Sequence, residues 1–207
     1  HNGWHTMPYL TQGEFFCEFG SYDVSITLPA NYVVGATGVL QNSAEQAWMD
    51  SLAAVPYTDA RRLKADFQRG ALNAFPPSAQ RTKTLRYVQD DVHDFAWFAD
   101  KRFIVRKDVA TLPDSKRSVT VWALFMPKNA EEWEAIGTRS LVNSVVHYSE
   151  WLGDYPYEVC TAVDGTISAG GGMEYPMLTI IGDMGDEQAL DNVIAHEVGH
   201  NWFQGIL

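Results

Sequence analysis

The sequence predicts an α+β fold, with a strand-rich first part followed by a part in which strands and helices alternate. Residues 21–28 and 81–88 alternate between apolar and polar side chains, as half-buried strands do. An apolar, β-branched run at 119–125 predicts a buried strand. Between the two alternating runs, residues 41–69 are polar and Ala-rich, and we expect them to be partly helical or irregular.

The clearest helix of the second part is predicted to begin after Asn129. Apolar residues recur at helical spacing from Trp133 to Leu152, and acidic residues occupy the first turns, where the helix dipole favours them. Asn129 is expected to cap this helix and Gly153 to end it. The change of pattern near residue 110 predicts two domains, 1–110 and 111–207.

Two short strands and a second helix are predicted beyond that point. The strands are expected at 157–163 and 177–181, with a flexible hinge at Gly170–Gly172 between them. Asp186 is predicted to cap a last helix over 187–203.

Composition excludes some classes of function. The 207 residues carry a net charge of −11 and a pI near 4.8, which disfavours binding to nucleic acid. No apolar run approaches the length of a membrane span. The two cysteines, Cys17 and Cys160, allow one disulfide, but their spacing does not favour it. His93 lies among aspartates and is interpreted as part of a solvated acidic turn.

The segment from His196 to His200 has the spacing of a zinc site. Imidazoles four residues apart lie on one face of a helix, about 6 Å apart along its axis, and each can give zinc a nitrogen. Glu197 is turned about 100° from His196 around the helix, where it can take a proton from water activated by the metal. The pattern H-E-x-x-H therefore predicts two metal ligands and a general base.

A glycine-rich segment precedes this helix. Gly171 and Gly172 allow close approach of a ligand to the backbone, and Met173, Glu174 and Tyr175 follow directly. The Glu174 carboxylate is able to hold a positively charged group. Taken alone, the segment is better explained as a Gly-rich turn between two strands.

Together the two segments resemble the M1 family of zinc aminopeptidases, the gluzincins related to aminopeptidase N and leukotriene A4 hydrolase. The family pairs a G-x-M-E-N motif with H-E-x-x-H, and this chain has Gly171 to Tyr175 followed by His196 to Trp202-Phe203. Residues 15–31 and 83–103 also resemble the end of the family's N-terminal β domain and the entry to its catalytic domain. The resemblance implies the end of an all-β domain followed by the start of a thermolysin-like zinc peptidase domain.

The resemblance also implies roles for individual residues. His196 and His200 become ligands of Zn²⁺, one ion per complete catalytic domain, and Glu197 becomes the general base. Glu174 is expected to bind the free α-amine of a peptide substrate, so that residues are removed from the N-terminus. Gly171, Gly172, Met173 and Tyr175 are expected to line the cleft along the peptide backbone.

Two departures from the family pattern limit these expectations. Tyr175 stands where the family usually has Asn, which leaves the detail of the amine site and the substrate preference open. The chain ends seven residues after His200, before the family's third zinc ligand, a Glu on the next helix. We therefore expect a piece of a longer peptidase that is inactive by itself.

Other functions and locations stay open at this point. An endopeptidase or a bifunctional hydrolase on the same scaffold is possible, as is a non-catalytic M1-like scaffold or peptide-binding protein. Cytoplasmic and exported locations are both compatible with the sequence.

Overall fold

A computed structural model describes residues 17–56, 59–71, 75–167 and 170–205 of the chain. Over these ranges the chain combines helices with three β-sheets, of three, five and two strands. The prediction that the chain combines helices and strands is confirmed, and the predicted domain architecture stays a prediction.

The first part contains the two smaller sheets. The three-stranded antiparallel sheet has the order β1-β4-β3, with β1 at Gly20–Pro29, β3 at Val39–Leu40 and β4 at Thr82–Val92. The two-stranded sheet pairs β2, Val33–Ala36, with β5, Trp97–Asp100. The two runs of alternating residues thus form β1 and β4, which pair with each other because each has one face to bury.

Two short helices interrupt these strands. Helix α1 spans Ser43–Ala53, and α2 spans Ala60–Gln68. Asp59 caps α2, since its side chain accepts a hydrogen bond from the backbone N–H of Arg62 at 3.1 Å. Of the two alternatives left open for residues 41–69, helical or irregular, the structure shows helices over most of the segment.

The second part is built on a five-stranded mixed sheet of order β6-β7-β8-β10-β9. Strands β7, β8 and β10 are parallel, and the outer strands β6 and β9 are antiparallel to their neighbours. The strands are β6 Ile104–Thr111, β7 Ser118–Phe125, β8 Val159–Asp164, β9 Gly172–Tyr175 and β10 Leu178–Ile181. Strand β6 pairs with β7 along its whole length, and the division of the chain at residue 110 stays a prediction.

Two helices, α3 at Ala130–Leu152 and α4 at Glu187–Gly199, pack with this sheet into one large core. Alternate side chains of β7 point to opposite faces of the sheet. Val121 and Ala123 belong to the core shared with the helices. Leu124 belongs to a second cluster, shared with Val33 of β2 and Met49 of α1. The sheet is therefore covered on both faces.

The start of α3 differs from the prediction. Asn129 occupies the N-cap position, at the end of a 3-10 turn over Pro127–Asn129, but its side chain makes no capping hydrogen bond. Its amide donates to the carboxylate of Asp164, at 3.0 and 3.1 Å to the two oxygens. The side chain was expected to serve its own helix, and instead it ties the helix to the end of β8.

Two predictions about the last part are also corrected. The expected hinge at Gly170–Gly172 is wrong for Gly172, because this residue opens β9 and pairs with Ile181 of β10. The last helix ends at Gly199 and gives way to turns through Gly205, rather than continuing to residue 203. A physical reason is that the Asn201 side-chain amide donates a hydrogen bond to the Val198 carbonyl at 3.0 Å. This bond competes with the backbone N–H that a continuing helix would direct to the same carbonyl.

The structure also bears on two expectations about bulk properties. Cys17 and Cys160 are both free thiols, and burial raises the pKa of the Cys160 thiol to about 12. None of the helices in the described ranges is both long and apolar enough to cross a membrane.

Candidate metal centre and substrate cleft

Helix α4 places the two predicted histidine ligands side by side. Asp186 begins the helix by accepting a hydrogen bond from the Ala189 N–H at 2.8 Å, as predicted. His200 is the C-cap residue and keeps helical dihedral angles, so the four-residue spacing still brings the rings together. The imidazole Nε2 atoms of His196 and His200 are 3.3 Å apart, and the ring planes are nearly perpendicular at 87°.

The separation of the two nitrogens fits a shared zinc ion. Two nitrogens at about 2.0–2.1 Å from one tetrahedral zinc lie about 3.3–3.4 Å from each other. The Nδ1 atom of His200 lies 3.3 Å from the backbone carbonyl of Phe203. When this Nδ1 carries the proton and donates it there, the Nε2 lone pair is directed toward the metal position.

Glu197 lies against the edge strand β9. Its side chain is buried, with the residue only 5% exposed. A Cβ atom on Gly172 would lie 2.5 Å from Glu197 Oε1 and 2.7 Å from its Cγ. Position 172 therefore has room for the carboxylate of Glu197 only because it lacks a side chain.

Glu174 approaches the histidines from β9. It is paired with Thr179 of β10, and its Oε1 lies 3.9 Å from Nδ1 of His200. One ligand atom each from Glu174, Glu197 and His200 lie within 4.8 Å of one another, which makes this group a candidate metal cluster. His196 adjoins the group through its contact with His200.

The remaining predicted residues are divided between the two faces of β9. Gly172 and Glu174 are on the face toward α4, and strand alternation places Met173 and Tyr175 on the other face. The Tyr175 ring is 6.0 Å from that of Phe98 in β5. Gly171 precedes the strand, and its carbonyl accepts a hydrogen bond from the Gly182 N–H at 2.8 Å.

The structure adds residues that the motifs did not indicate. His93 and Tyr157 line a small cleft with Glu174, Tyr175 and His200, so His93 is not merely part of an acidic turn. Burial raises the pKa of the Tyr157 hydroxyl, with Asp91 adding to the effect, so the hydroxyl stays protonated near neutral pH. Because His93 is far from both motifs along the chain, no local sequence pattern indicated that it lies beside them.

Asn201, directly after the second histidine, joins α4 to the turn between β9 and β10. Its side-chain oxygen accepts from the Met177 N–H at 3.0 Å, and its amide donates to Val198. Met177 has a left-handed φ of 66°, a conformation that costs free energy outside glycine, and this hydrogen bond helps to hold it. In the sequence, the only sign of this role was that Asn201 is a polar residue at the end of a largely apolar helix.

Comparison with solved structures identifies the fold. The chain is similar to an M1 zinc metallopeptidase from Deinococcus radiodurans, with a TM-score of 0.53 and 17% identity over 88% of this chain and 34% of that one. A two-domain M1 zinc metallopeptidase mutant bound to L-arginine matches with a TM-score of 0.52 and 16% identity, over the same shares of the two chains.

A third similar structure is aminopeptidase A from Legionella pneumophila in complex with aspartic acid. Its TM-score is 0.57 and its identity 13%, over 88% of this chain and 19% of that one. No protein-family model matches the chain, and no curated protein does. The chain thus spans about a third of the first two structures and a fifth of the third, and it has the fold of part of an M1 zinc metallopeptidase.

Proposed function

We propose that the chain is the part of an M1 zinc aminopeptidase that contains the general base and two zinc ligands. The observation that carries the proposal is the 3.3 Å separation of the Nε2 atoms of His196 and His200, with the buried Glu197 between them in sequence. The fold shared with M1 zinc metallopeptidases supports it.

In this proposal the residues of α4 divide the chemistry between them. His196 and His200 hold the zinc ion. The ion, when bound, acts as a Lewis acid and lowers the pKa of water. Glu197 takes the proton from the attacking water and delivers it to the leaving amine. The contact with β9 at Gly172 limits the positions open to the Glu197 carboxylate.

Strand β9 is proposed to bind the peptide. In the described part of the chain β9 is the last strand of the five-stranded sheet, and an extended peptide can pair with the outer edge of such a strand. Gly171, Gly172, Met173 and Tyr175 line that edge, and Glu174 binds the free α-amine of the substrate. The carboxylate near the histidines would place the first peptide bond close to the metal and to Glu197.

The domain architecture remains part of the proposal. Residues 1–110 would form the end of an N-terminal β domain, and residues 111–207 the start of a thermolysin-like catalytic domain with one zinc ion when complete. We expect hydrolysis in the protein that carries this chain, and none from these residues alone.

The test is hydrolysis of aminoacyl p-nitroanilides by the protein that carries this chain. Glu197→Gln should lower kcat at least about 100-fold, the usual contribution of a general base, with zinc content unchanged. Glu187→Gln, at an exposed carboxylate of the same helix, is the matched control and should leave the rate unchanged. Undiminished hydrolysis by the Glu197 variant would refute its role as base.

The exopeptidase assignment is tested separately at Glu174. Glu174→Ala should sharply weaken cleavage of substrates with a free amine. Unchanged cleavage, or equal cleavage of N-acetylated substrates, would favour an endopeptidase. A zinc-loaded wild-type protein that hydrolyses neither substrate would favour a non-catalytic scaffold.

A further inference from the structure

His93 comes from the first part of the chain but lies in the cleft of the second part. Residues of β9, of the turn after it and of the end of α4 line this cleft, among them Glu174, Pro176 and His200. His93 and Tyr157 complete the lining from other elements. The volume of the cleft is about 10 Å³, which is roughly the space that one water molecule needs. The cleft beside Glu174 is therefore too small for an amino-acid residue.

A β-bulge near the end of β4 directs His93 into this cleft. The pairing of β4 with β1 shifts by one residue between Gln89 and Val92, so β4 contains one extra residue there. Asp91, inside the bulge, has a left-handed φ of 56°. Bulges of this kind bend a strand and redirect the side chains that follow. Because of the extra residue, Val92 takes the position on the inward face that strand alternation alone would give to Asp91.

Val92 anchors the end of β4 in the second part of the chain. It is 0% exposed and belongs to the large core that the five-stranded sheet forms with α3 and α4. The Tyr157 hydroxyl donates to the Asp91 carbonyl at 3.5 Å, which adds a second attachment. His93 follows directly, and the Phe19 ring meets the His93 ring edge-on, with the ring centres 5.5 Å apart. The imidazole is therefore held in place before any substrate binds.

The direction of the bound peptide places this cleft beyond the peptide's N-terminus. In the proposed function Glu174 binds the free α-amine and Glu197 activates the attacking water. Glu197 lies against Gly172, so the bond to be hydrolysed is on the Gly172 side of Glu174. A residue added ahead of the amine would extend along β9 in the opposite direction, toward Pro176. That end of the strand borders the small cleft, and the added residue would need the space that His93 occupies.

We propose that His93 closes the substrate cleft behind the Glu174 carboxylate and so limits the substrate to one residue ahead of the hydrolysed bond. The inference rests on the proposed function, in which Glu174 binds the amine. His93 is a specificity-determining residue in this role, because its volume excludes longer N-terminal extensions and its nitrogens take no part in the hydrolysis. The substrates are peptides with a free N-terminus, from which one residue leaves at a time.

The experiment measures, by mass spectrometry, the first products that the protein carrying this chain releases from a hexapeptide. The wild type should release single amino acids. His93→Ala should raise the ratio of released N-terminal dipeptide to released amino acid at least about 10-fold, since a hydrophobic pocket discriminates about 10–200-fold between ligands that differ by one methylene group. Stepwise removal of single residues cannot give a free N-terminal dipeptide, so the ratio reports the opened cleft.

Three further variants separate the volume of His93 from its other properties. His93→Phe keeps a ring of similar size and should keep the wild-type product ratio. His147→Ala, at an exposed histidine of α3, is the matched control and should keep it as well. Phe19→Ala removes a largely exposed ring that supports His93, and it should raise the ratio by less than His93→Ala does.

The possible failures are distinguishable. A folded His93→Ala protein with the wild-type product ratio would overturn the inference and leave the aminopeptidase intact. Loss of single-residue release without any dipeptide release would also overturn it, because the imidazole itself would then be needed. Circular dichroism verifies folding, and if His93→Ala does not fold, an unchanged ratio in Phe19→Ala overturns the inference. A wild type that released no N-terminal residue from any peptide would refute the proposed function and this inference with it.

Discussion

At the residue scale, Asp164 shows how burial changes a carboxyl group. It ends β8, is 1% exposed, and accepts hydrogen bonds from the Met126 N–H at 2.9 Å and from the Asn129 amide. Burial raises its pKa from 3.8 to about 6, although these hydrogen bonds and Lys128 act in the opposite direction. The proton is therefore held more tightly in the folded chain than in the unfolded one.

This difference predicts how stability changes with pH. A carboxyl whose pKa is raised on folding binds more protons in the folded state, so stability increases as pH falls through the folded pKa. Between pH 7 and pH 5 the wild type should gain about 1 kcal/mol of unfolding free energy relative to Asp164→Asn, which has no proton to bind. Urea denaturation of both proteins at the two pH values measures it.

The comparison uses the difference between two proteins so that other titrating groups cancel. If the difference in unfolding free energy between the wild type and Asp164→Asn were the same at pH 7 and pH 5, folding would not raise the Asp164 pKa. If the variant became the more stable of the two as the pH fell, folding would lower the Asp164 pKa.

At the element scale, α4 depends on its first residue. Asp186 is exposed, and its carboxylate accepts the Ala189 N–H at 2.8 Å, which satisfies one of the free donors at the start of the helix. The helix carries His196, Glu197 and His200, so its first turn supports the whole candidate centre.

Removal of this cap should destabilise the chain without touching the site. Asp186→Ala is expected to lower the free energy of unfolding by about 1 kcal/mol, whereas Asp186→Asn keeps an acceptor at the same place and should cost much less. Urea denaturation of the two variants and the wild type measures both values. Equal losses in the two variants would mean that the cap hydrogen bond contributes nothing.

At the scale of the whole molecule, the small β2–β5 sheet packs directly on the five-stranded sheet. Gly35 of β2 is the point of close approach, since a Cβ atom there would lie 2.9 Å from Leu124 Cδ1 and 3.2 Å from Val163 Cγ2. The two parts of the chain therefore share an interface that leaves no room for a methyl group.

Adding that methyl group should loosen the interface. Gly35→Ala is expected to cost about 1–3 kcal/mol of unfolding free energy, the usual penalty of overpacking. Gly20→Ala is the control, because a Cβ atom there meets nothing within 4 Å. Thermal and urea denaturation compare the two.

The partner of Gly35 is identified by a second substitution. In a Leu124→Ala background, Gly35→Ala should cost much less than in the wild type, because the side chain that it meets is gone. Equal costs in both backgrounds would locate the strain elsewhere.

The sequence was most informative where a structure depends on nearby residues. The alternation in β1, the Asp186 cap and the spacing of His196 and His200 depend on strand and helix periods that a short segment contains. The same local reasoning failed at Asn129 and at the end of α4. The Asn129 side chain binds Asp164 instead of capping its own helix. At the end of α4, the Asn201 side chain bonds both the Val198 carbonyl and the Met177 N–H.

By itself, the sequence determined that helices and strands are mixed, that one face of α4 carries His196 and His200, and that two motifs resemble those of a zinc aminopeptidase. Only the tertiary structure decided that Glu174 lies beside His200, that Gly172 makes room for Glu197, and that His93 borders the same cleft. The physical reason is the separation along the chain of the residues that come into contact. A helix brings residues four apart together through its own backbone, whereas β9 and α4 meet only through the register of the sheet and the packing of the helix on it.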